Sequence, residues 1–506
     1  MSLLIGVTIA HAAPCAGSPA KATDAAWNGW ADPANTRFQN AQAAGLTAKN
    51  TPKLKLKWAF GFPNATTAQG TPTVFGGRIF VGDANGVVYS LDARSGCTLW
   101  AFNAAAGVRV SPVLDAGGGF VYFGDLKANV YALDASSGKQ LWKVRADEHP
   151  MAVITGSPKL MGGRLYVPVS GRDESMAATD PAYECCTFRG SVVALDAAKG
   201  RKIWQSYTIA SAPQVTGKNT KGTKTWGPSG AVPWSSPTLD MENRVLYIGT
   251  GVNYSKPTTD TSDAVVAMSM DSGEILWSSQ LTSDDAYNFA CSAQDKTNCP
   301  RQPIVDTDFG NSGLLRSVAG RRVLVISDKG GVVYGLDPDQ QGRVIWKQKI
   351  ASGGVNGGTM WGGASDDRGM AYFSISDFMV GKPEAGGGLA ALQLTTGELF
   401  WKTAPPKPAC VAMKGCSAAQ PAPVTVIPGV AFLGSWDGHL RAYETTLGKI
   451  IWDFDTAKEY ETVNGIKANG GSINSMGAAV VGGMVYITSG YGGNGMPGNV
   501  LLAFGL

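Results

Sequence analysis

Histidine is nearly absent from this chain: His11, His149 and His439 are the three in 506 residues. Zinc sites and haem ligation lean on imidazole, so both are poorly supported. No Cys-x-x-Cys-His occurs, which excludes a covalent c-type haem. No Gly-x-Gly-x-x-Gly opens a helix, which excludes the dinucleotide fold by its fingerprint. Charge is also scarce. Asp, Glu, Lys and Arg make up 16% of the chain, the net charge is +4 and no basic run appears, so the overall balance favours neither nucleic acid nor an acidic partner. No apolar run is long enough for a transmembrane segment. The start, residues 1–13, is a shorter apolar run ending in Ala10-His11-Ala12. It reads as a signal peptide lacking its basic n-region, and so predicts export to the periplasm.

Tryptophan recurs at one place in one phrase. The clearest copies are Asp92-Ala-Arg-Ser-Gly96-Cys-Thr-Leu-Trp100 and Asp134-Ala-Ser-Ser-Gly138-Lys-Gln-Leu-Trp142. Two more end at Trp204 and Trp277, and weaker copies at Trp346, Trp401 and Trp452. Each unit opens on a Gly-Gly turn, runs through two strands with period-two alternation, turns at Asp-x-x-Gly and ends in a short strand carrying the tryptophan. That is the pattern of hairpin-linked strands. Four short strands repeated at roughly 40 to 70 residues make a β-propeller blade. The indole packs flat between blades, and its N–H needs an acceptor that the neighbouring Asp/Gly turn is placed to supply. The last unit, from Gly482 to Phe504, ends before any tryptophan, whereas Trp58 has a strand but no turn of its own. The two halves predict one all-β domain: an eight-bladed propeller over 53–506, closed by strands from both ends of the chain, with 14–52 as an N-terminal extension.

Eight cysteines suit an oxidising compartment. Cys291/Cys299 and Cys410/Cys416 read as loop staples, and Cys15/Cys97 as a long-range pair. Cys185 and Cys186 are adjacent. Neighbouring Cα atoms lie ~3.8 Å apart, below the usual disulfide range, so the two form either a strained eight-membered ring or two independent thiols.

The tryptophan spacing lengthens in the steps ending at Trp204, Trp277 and Trp346. Extra length in a propeller sits in loops, and loops on a rigid scaffold carry function. Polar outliers fall in the same blades: Ser170-Gly-Arg-Asp173-Glu174, Gly249-Thr-Gly-Val-Asn253, Asp306-Thr-Asp308-Phe-Gly310 and Ser327-Asp-Lys329. Carboxylates with an amide oxygen suit a hard cation such as Ca²⁺.

With these residues in view, the sequence resembles the pyrroloquinoline quinone (PQQ) dependent alcohol dehydrogenases over roughly 35–506, and within them the polyvinyl alcohol dehydrogenases. Asn35-Thr-Arg-Phe-Gln39, Leu54–Pro63, Cys185–Gly190 and Glu461–Gly465 carry that finer likeness. The resemblance implies PQQ and Ca²⁺ as cofactors, an alcohol as substrate and an external electron acceptor such as cytochrome c. It places Trp234 under the quinone. Asn253, Asp308 and either Asp173 or Glu174 become calcium ligands. Asp308 is also the catalytic base, and Lys329 the cation beside the reactive carbonyl. Thr155, Ser170 and Gln69 fall at cofactor-binding positions, although Gln69 stands where relatives often carry Glu. Arg189 meets a PQQ carboxylate or serves the start of its strand. Gly310 stands where lanthanide-dependent relatives carry a second Asp, which favours Ca²⁺. The vicinal cysteines depart from the family pattern, which has them in the second blade where this chain has Arg109-Val-Ser111. From a third-blade insertion, Cys185 and Cys186 would cap the quinone from a different loop.

Overall fold

The computed structural model of the chain describes Cys15, residues 25–300 and residues 306–506. The apolar start read as a signal peptide lies outside the described residues. Among these residues no helix is long and apolar enough to cross a membrane.

Eight antiparallel sheets form the blades. The first takes Thr73–Phe75, Arg78–Gly82, Val87–Asp92 and Thr98–Asn103 in order. The next six follow in chain order, the third sheet adding the short strand Ala152–Val153 and the fourth passing over Asn253–Ser255. The eighth closes the ring as expected: Lys55–Gly61 pairs with Val500–Gly505, with Trp58 opposite Ala503. Alternating valine, isoleucine and tyrosine make the strands, because a β-branched or aromatic residue fits a pleated surface buried on both faces.

The tryptophans join blade to blade. A Cβ on Gly96 would meet the Trp58 ring at 2.7 Å, one on Gly138 would meet Trp100 and one on Gly200 would meet Trp142 at the same distance. Each turn glycine has a left-handed φ, of 73°, 72° and 70°, so it is needed both for the turn and for the indole lying on it. The indole N–H groups of Trp100 and Trp142 donate to the Ala135 and Ala197 carbonyls, at 2.9 and 3.0 Å. Those carbonyls belong to the neighbouring Asp/Gly turns. Trp58 Nε1, by contrast, is buried without a partner.

Antiparallel order puts the links between second and third strands, and those between blades, at one end of the ring. The long insertions are there: helix Asp173–Thr179, hairpin Gln214–Lys218 with Lys224–Gly227, and the turn Phe289–Cys291. The N-terminal extension has a role the sequence did not reveal. Residues 27–39 run across the innermost strands, exchanging backbone hydrogen bonds with Val74, Leu239, Leu315, Ser365 and Val426. Asn28, Lys159 and Gln39 tie the same segment to the second, third and eighth blades. It is a plug that touches every blade. Cys15–Cys97, Cys185–Cys186, Cys291–Cys299 and Cys410–Cys416 are all bonded.

Candidate active site

The insertion-bearing end gathers one charged cluster. Lys329 Nζ lies 2.7 Å from both oxygens of Asp306 and 3.2 Å from Asp308 Oδ2. The Val252 N–H donates to Asp308 Oδ1 at 2.6 Å, so this carboxylate is held from two sides. Gly251 lets it approach the indole edge: a Cβ there would lie 2.6 Å from Asp308 Oδ1 and 3.4 Å from Trp234 Nε1. Burial works against the Lys329 charge, but Asp306, Asp308 and Glu174 outweigh it and hold the ammonium above the usual lysine range.

Of the two candidate carboxylates in the third blade, Glu174 faces this cluster. Burial, and then the Asp308 charge, pushes its carboxyl up to about 8, against the pull of Lys329. Asp173 is committed to folding the insertion. It is fully buried and accepts from the Tyr183 hydroxyl at 2.5 Å and from the Thr187 and Phe188 N–H groups at 2.7 Å. Behind the cluster, Thr307 Oγ1 lies 3.3 Å from Asp263 and 3.2 Å from Asp285. Five carboxyl groups thus share a region with one ammonium, an excess that a divalent cation would offset. Among the described residues no three carboxylate, imidazole or thiol groups form a metal cage by themselves. The Asn253 amide is close in sequence and fully buried, but its Oδ1 accepts from Thr259 N–H at 2.8 Å and its Nδ2 donates to Ser229 O.

Trp234 forms one wall of a narrow recess, lined also by Arg109, Thr155, Trp361, Ser475 and the plug residue Trp30. Thr155 Oγ1 donates to the Trp234 carbonyl at 3.3 Å. Trp361 meets Trp234 edge-on with centroids 4.9 Å apart, and the Arg109 guanidinium lies 4.3 Å above the Trp361 ring. Arg109 Nη2 and Trp30 Nε1 are buried without acceptors, and Ser475 Oγ has no partner. Buried donors left without acceptors cost stability; a flat, multiply anionic ligand lying on an indole would satisfy them, and PQQ is such a molecule.

Other predicted positions stand apart from this recess. Ser170 is buried at the end of its strand and Gln69 is half-buried on the link into the first blade; neither lines the recess. Arg189 donates to the Ile209 and Ala210 carbonyls and stacks on Tyr207 at 4.0 Å, which is the strand-supporting alternative. Cys185 and Cys186 are buried in the insertion layer, where Asn288 Nδ2 approaches Cys185 Sγ at 3.7 Å. Arg109 and Trp361 were not picked out by sequence. Trp361, like Trp234, is a tryptophan outside the docking phrase.

Comparison with known proteins agrees with this picture. Residues 150–297 match the family described as the β-propeller domain of glucose/ethanol/alcohol dehydrogenases. Residues 46–221 and 329–495 match the description of outer membrane protein assembly factor BamB. That second match takes in seven of the eight docking tryptophans and breaks over 222–328, which holds Trp277 with Trp234, Asn253 and Asp308. The structure of quinohemoprotein alcohol dehydrogenase from Comamonas testosteroni superposes on the fold with a TM-score of 0.68 at 20% identity, covering 95% of this chain and 80% of that one. Fold and recess together define a propeller of the quinoprotein class. Polyvinylalcohol dehydrogenases from a Pseudomonas species and from Sphingopyxis sp. (strain 113P3) are 40% and 39% identical to it, over 94% of this chain and 76% of theirs. The chain belongs to the PQQ-type alcohol dehydrogenase family, alongside these polyvinylalcohol dehydrogenases.

Proposed function

We propose that the protein is an exported, PQQ- and Ca²⁺-dependent dehydrogenase oxidising secondary hydroxyl groups, those of polyvinyl alcohol or a similar alcohol, and passing electrons to an external acceptor such as a cytochrome c. The observation that carries this reading is Asp308, anchored by Val252 and Lys329 at the edge of the Trp234 indole. When bound, PQQ with its metal supplies a polarised carbonyl that accepts hydride.

The chain's own groups do the rest. Trp234 supports a flat ring, and the Arg109 guanidinium, with the Thr155 and Ser475 hydroxyls, meets its carboxylates. Glu174 and Asp308 are the carboxylates offered to Ca²⁺. Asn253 would join them by exchanging its Thr259 contact for the metal, and Asp173 acts by folding the loop that carries Glu174. Asp308 takes the hydroxyl proton of the alcohol as general base. Lys329, kept charged by Asp306, steadies negative charge that grows on the acceptor side. The Cys185–Cys186 pair is placed to stiffen the insertion layer over these groups.

The test is reconstitution with PQQ and Ca²⁺, followed by dye reduction with polyvinyl alcohol and a panel of small alcohols. Activity that needs both additions is expected. Neither PQQ binding nor activity would leave a propeller scaffold of the assembly-factor kind.

A further inference from the structure

The +4 net charge gives no overall reason to expect an acidic partner; a local reason lies on the rim of the sixth and seventh blades. Met379 and Val380, between the second and third strands of the sixth blade, are 46% and 83% exposed. Val411 and Met413, in the disulfide loop leading to the seventh blade, are 48% and 52% exposed. The two loops are fastened together. Ala418 N–H donates to the Pro383 carbonyl at 2.7 Å, Lys407 pairs with Glu384 at 3.3 Å, and the Cys410–Cys416 bond closes the second loop. Lys382 and Lys414 lie on the same loops, are exposed and pair with no carboxylate among the described residues. Of the two acids on these loops, Glu384 is already matched to Lys407, and Asp377 is taken up by the Ser352, Gly353 and Gly358 N–H groups. The rim is therefore apolar with a surplus of positive charge.

Aromatic side chains run inward from this rim. Phe378, next to Met379, packs tilted on Trp436 with centroids 4.2 Å apart, and Trp436 meets Tyr491 at 6.3 Å. At the recess itself, the Arg109 guanidinium lies over Trp361, and Trp361 touches Trp234.

Oxidising one alcohol to a carbonyl releases two protons and two electrons. In the proposed reading these electrons pass to an oxidant outside the propeller. We infer that the Met379/Val380–Val411/Met413 rim, with Lys382 and Lys414, is the docking surface for an acidic one-electron carrier protein, two copies of which are reduced per alcohol oxidised. This rests on the proposed dehydrogenase reading. A small apolar contact ringed by charge suits such a partner, because electron-transfer encounters are brief and bury little area, while complementary charge raises the rate of encounter.

The experiment uses enzyme loaded with PQQ and Ca²⁺ and three acceptors: a small dye, a basic cytochrome c, and the same cytochrome with its lysines succinylated. The succinylated form should be reduced with a kcat/KM higher by at least about tenfold at low salt, the advantage shrinking as salt rises. Lys382→Glu with Lys414→Glu should reverse that preference, and Val380→Ser with Met413→Ser should raise KM for the succinylated cytochrome, all with dye reduction unchanged. Charge reversal that leaves the preference intact would overturn the docking surface. So would variants that raise KM for polyvinyl alcohol with dye as acceptor, since the rim would then be a shelf for the polymer. Absence of dye reduction in the unaltered enzyme would instead sink the dehydrogenase reading beneath it.

Discussion

Gly310 lies against the six-membered ring of Trp234 so closely that a Cβ at this position would overlap Cη2 and Cζ2 of the indole. The ring cannot yield easily, because Trp361 meets it edge-on. The glycine that argued for Ca²⁺ over a lanthanide thus has a second reason to be there: no larger residue fits while Trp234 keeps its place. Gly310→Ala should tilt the indole and weaken PQQ binding by about tenfold or more, an overpacking cost of ~1–3 kcal/mol. Gly310→Asp should bind PQQ still more weakly and gain no lanthanide-supported activity. Fluorescence titration with PQQ, and turnover with La³⁺ in place of Ca²⁺, check both. A Gly310→Asp enzyme active with La³⁺ would show that the ring moves freely.

Asp308→Asn should keep the cofactor and lose turnover. The amide oxygen can still accept from Val252 N–H, so the loop should hold its shape, but an amide takes no proton. General-base catalysis is worth about 10²–10⁴-fold, and kcat should fall by that order. Trp234→Ala is the complement, expected to raise the Kd for PQQ, with kcat at saturation less affected. Steady-state dye reduction over a range of PQQ concentrations separates them. Undiminished kcat in Asp308→Asn would remove this residue as the base.

The fold was legible because the docking phrase repeats with its turn glycine, and even the closing Trp58 strand announced itself by lacking a turn. The site was less so. Sequence proximity could not separate Asp173 from Glu174; what separates them is that Asp173 caps Thr187 and Phe188, fourteen and fifteen residues on, while Glu174 is left to face Asp308. Arg109 escaped because its partner, the Trp361 ring, lies four blades away in the chain and beside it only across the channel. The plug escaped because residues 27–39 reach the eight blades through scattered backbone and side-chain bonds, with no periodic pattern to betray them.

Two glycines isolate what docking contributes. Gly138 and Gly163 have the same left-handed φ, 72° and 73°. A Cβ on Gly138 would meet Trp100 at 2.7 Å, whereas one on Gly163 would meet nothing within 4 Å. Gly163→Ala should cost only backbone strain, ~1 kcal/mol. Gly138→Ala adds the displaced indole and should cost a further ~1–3 kcal/mol, read as a lower thermal midpoint. Equal midpoints would mean that the indole slides aside at no cost.

Lys159 ties stability to pH through the plug. Its ammonium is buried and donates to the Ala31 and Asp32 carbonyls at 2.8 and 2.6 Å. Burial lowers it to about 7, with the Asp32 charge opposing and Arg37 adding to the fall. In the unfolded chain a lysine titrates near 10.4. Below pH 7 both states hold the proton and the slope is zero. Between pH 7 and about 10 the unfolded state binds a proton that the folded state does not, so stability rises with pH, by up to ~1.4 kcal/mol per unit. Lys159→Met removes this slope and leaves every other titration in place. The stability of the native enzyme relative to Lys159→Met, from denaturant midpoints at pH 6, 8 and 10, should therefore be lowest at pH 6 and climb through the other two. A difference that stays level across that range would mean that the two carbonyls keep Lys159 charged, and that the plug is indifferent to pH.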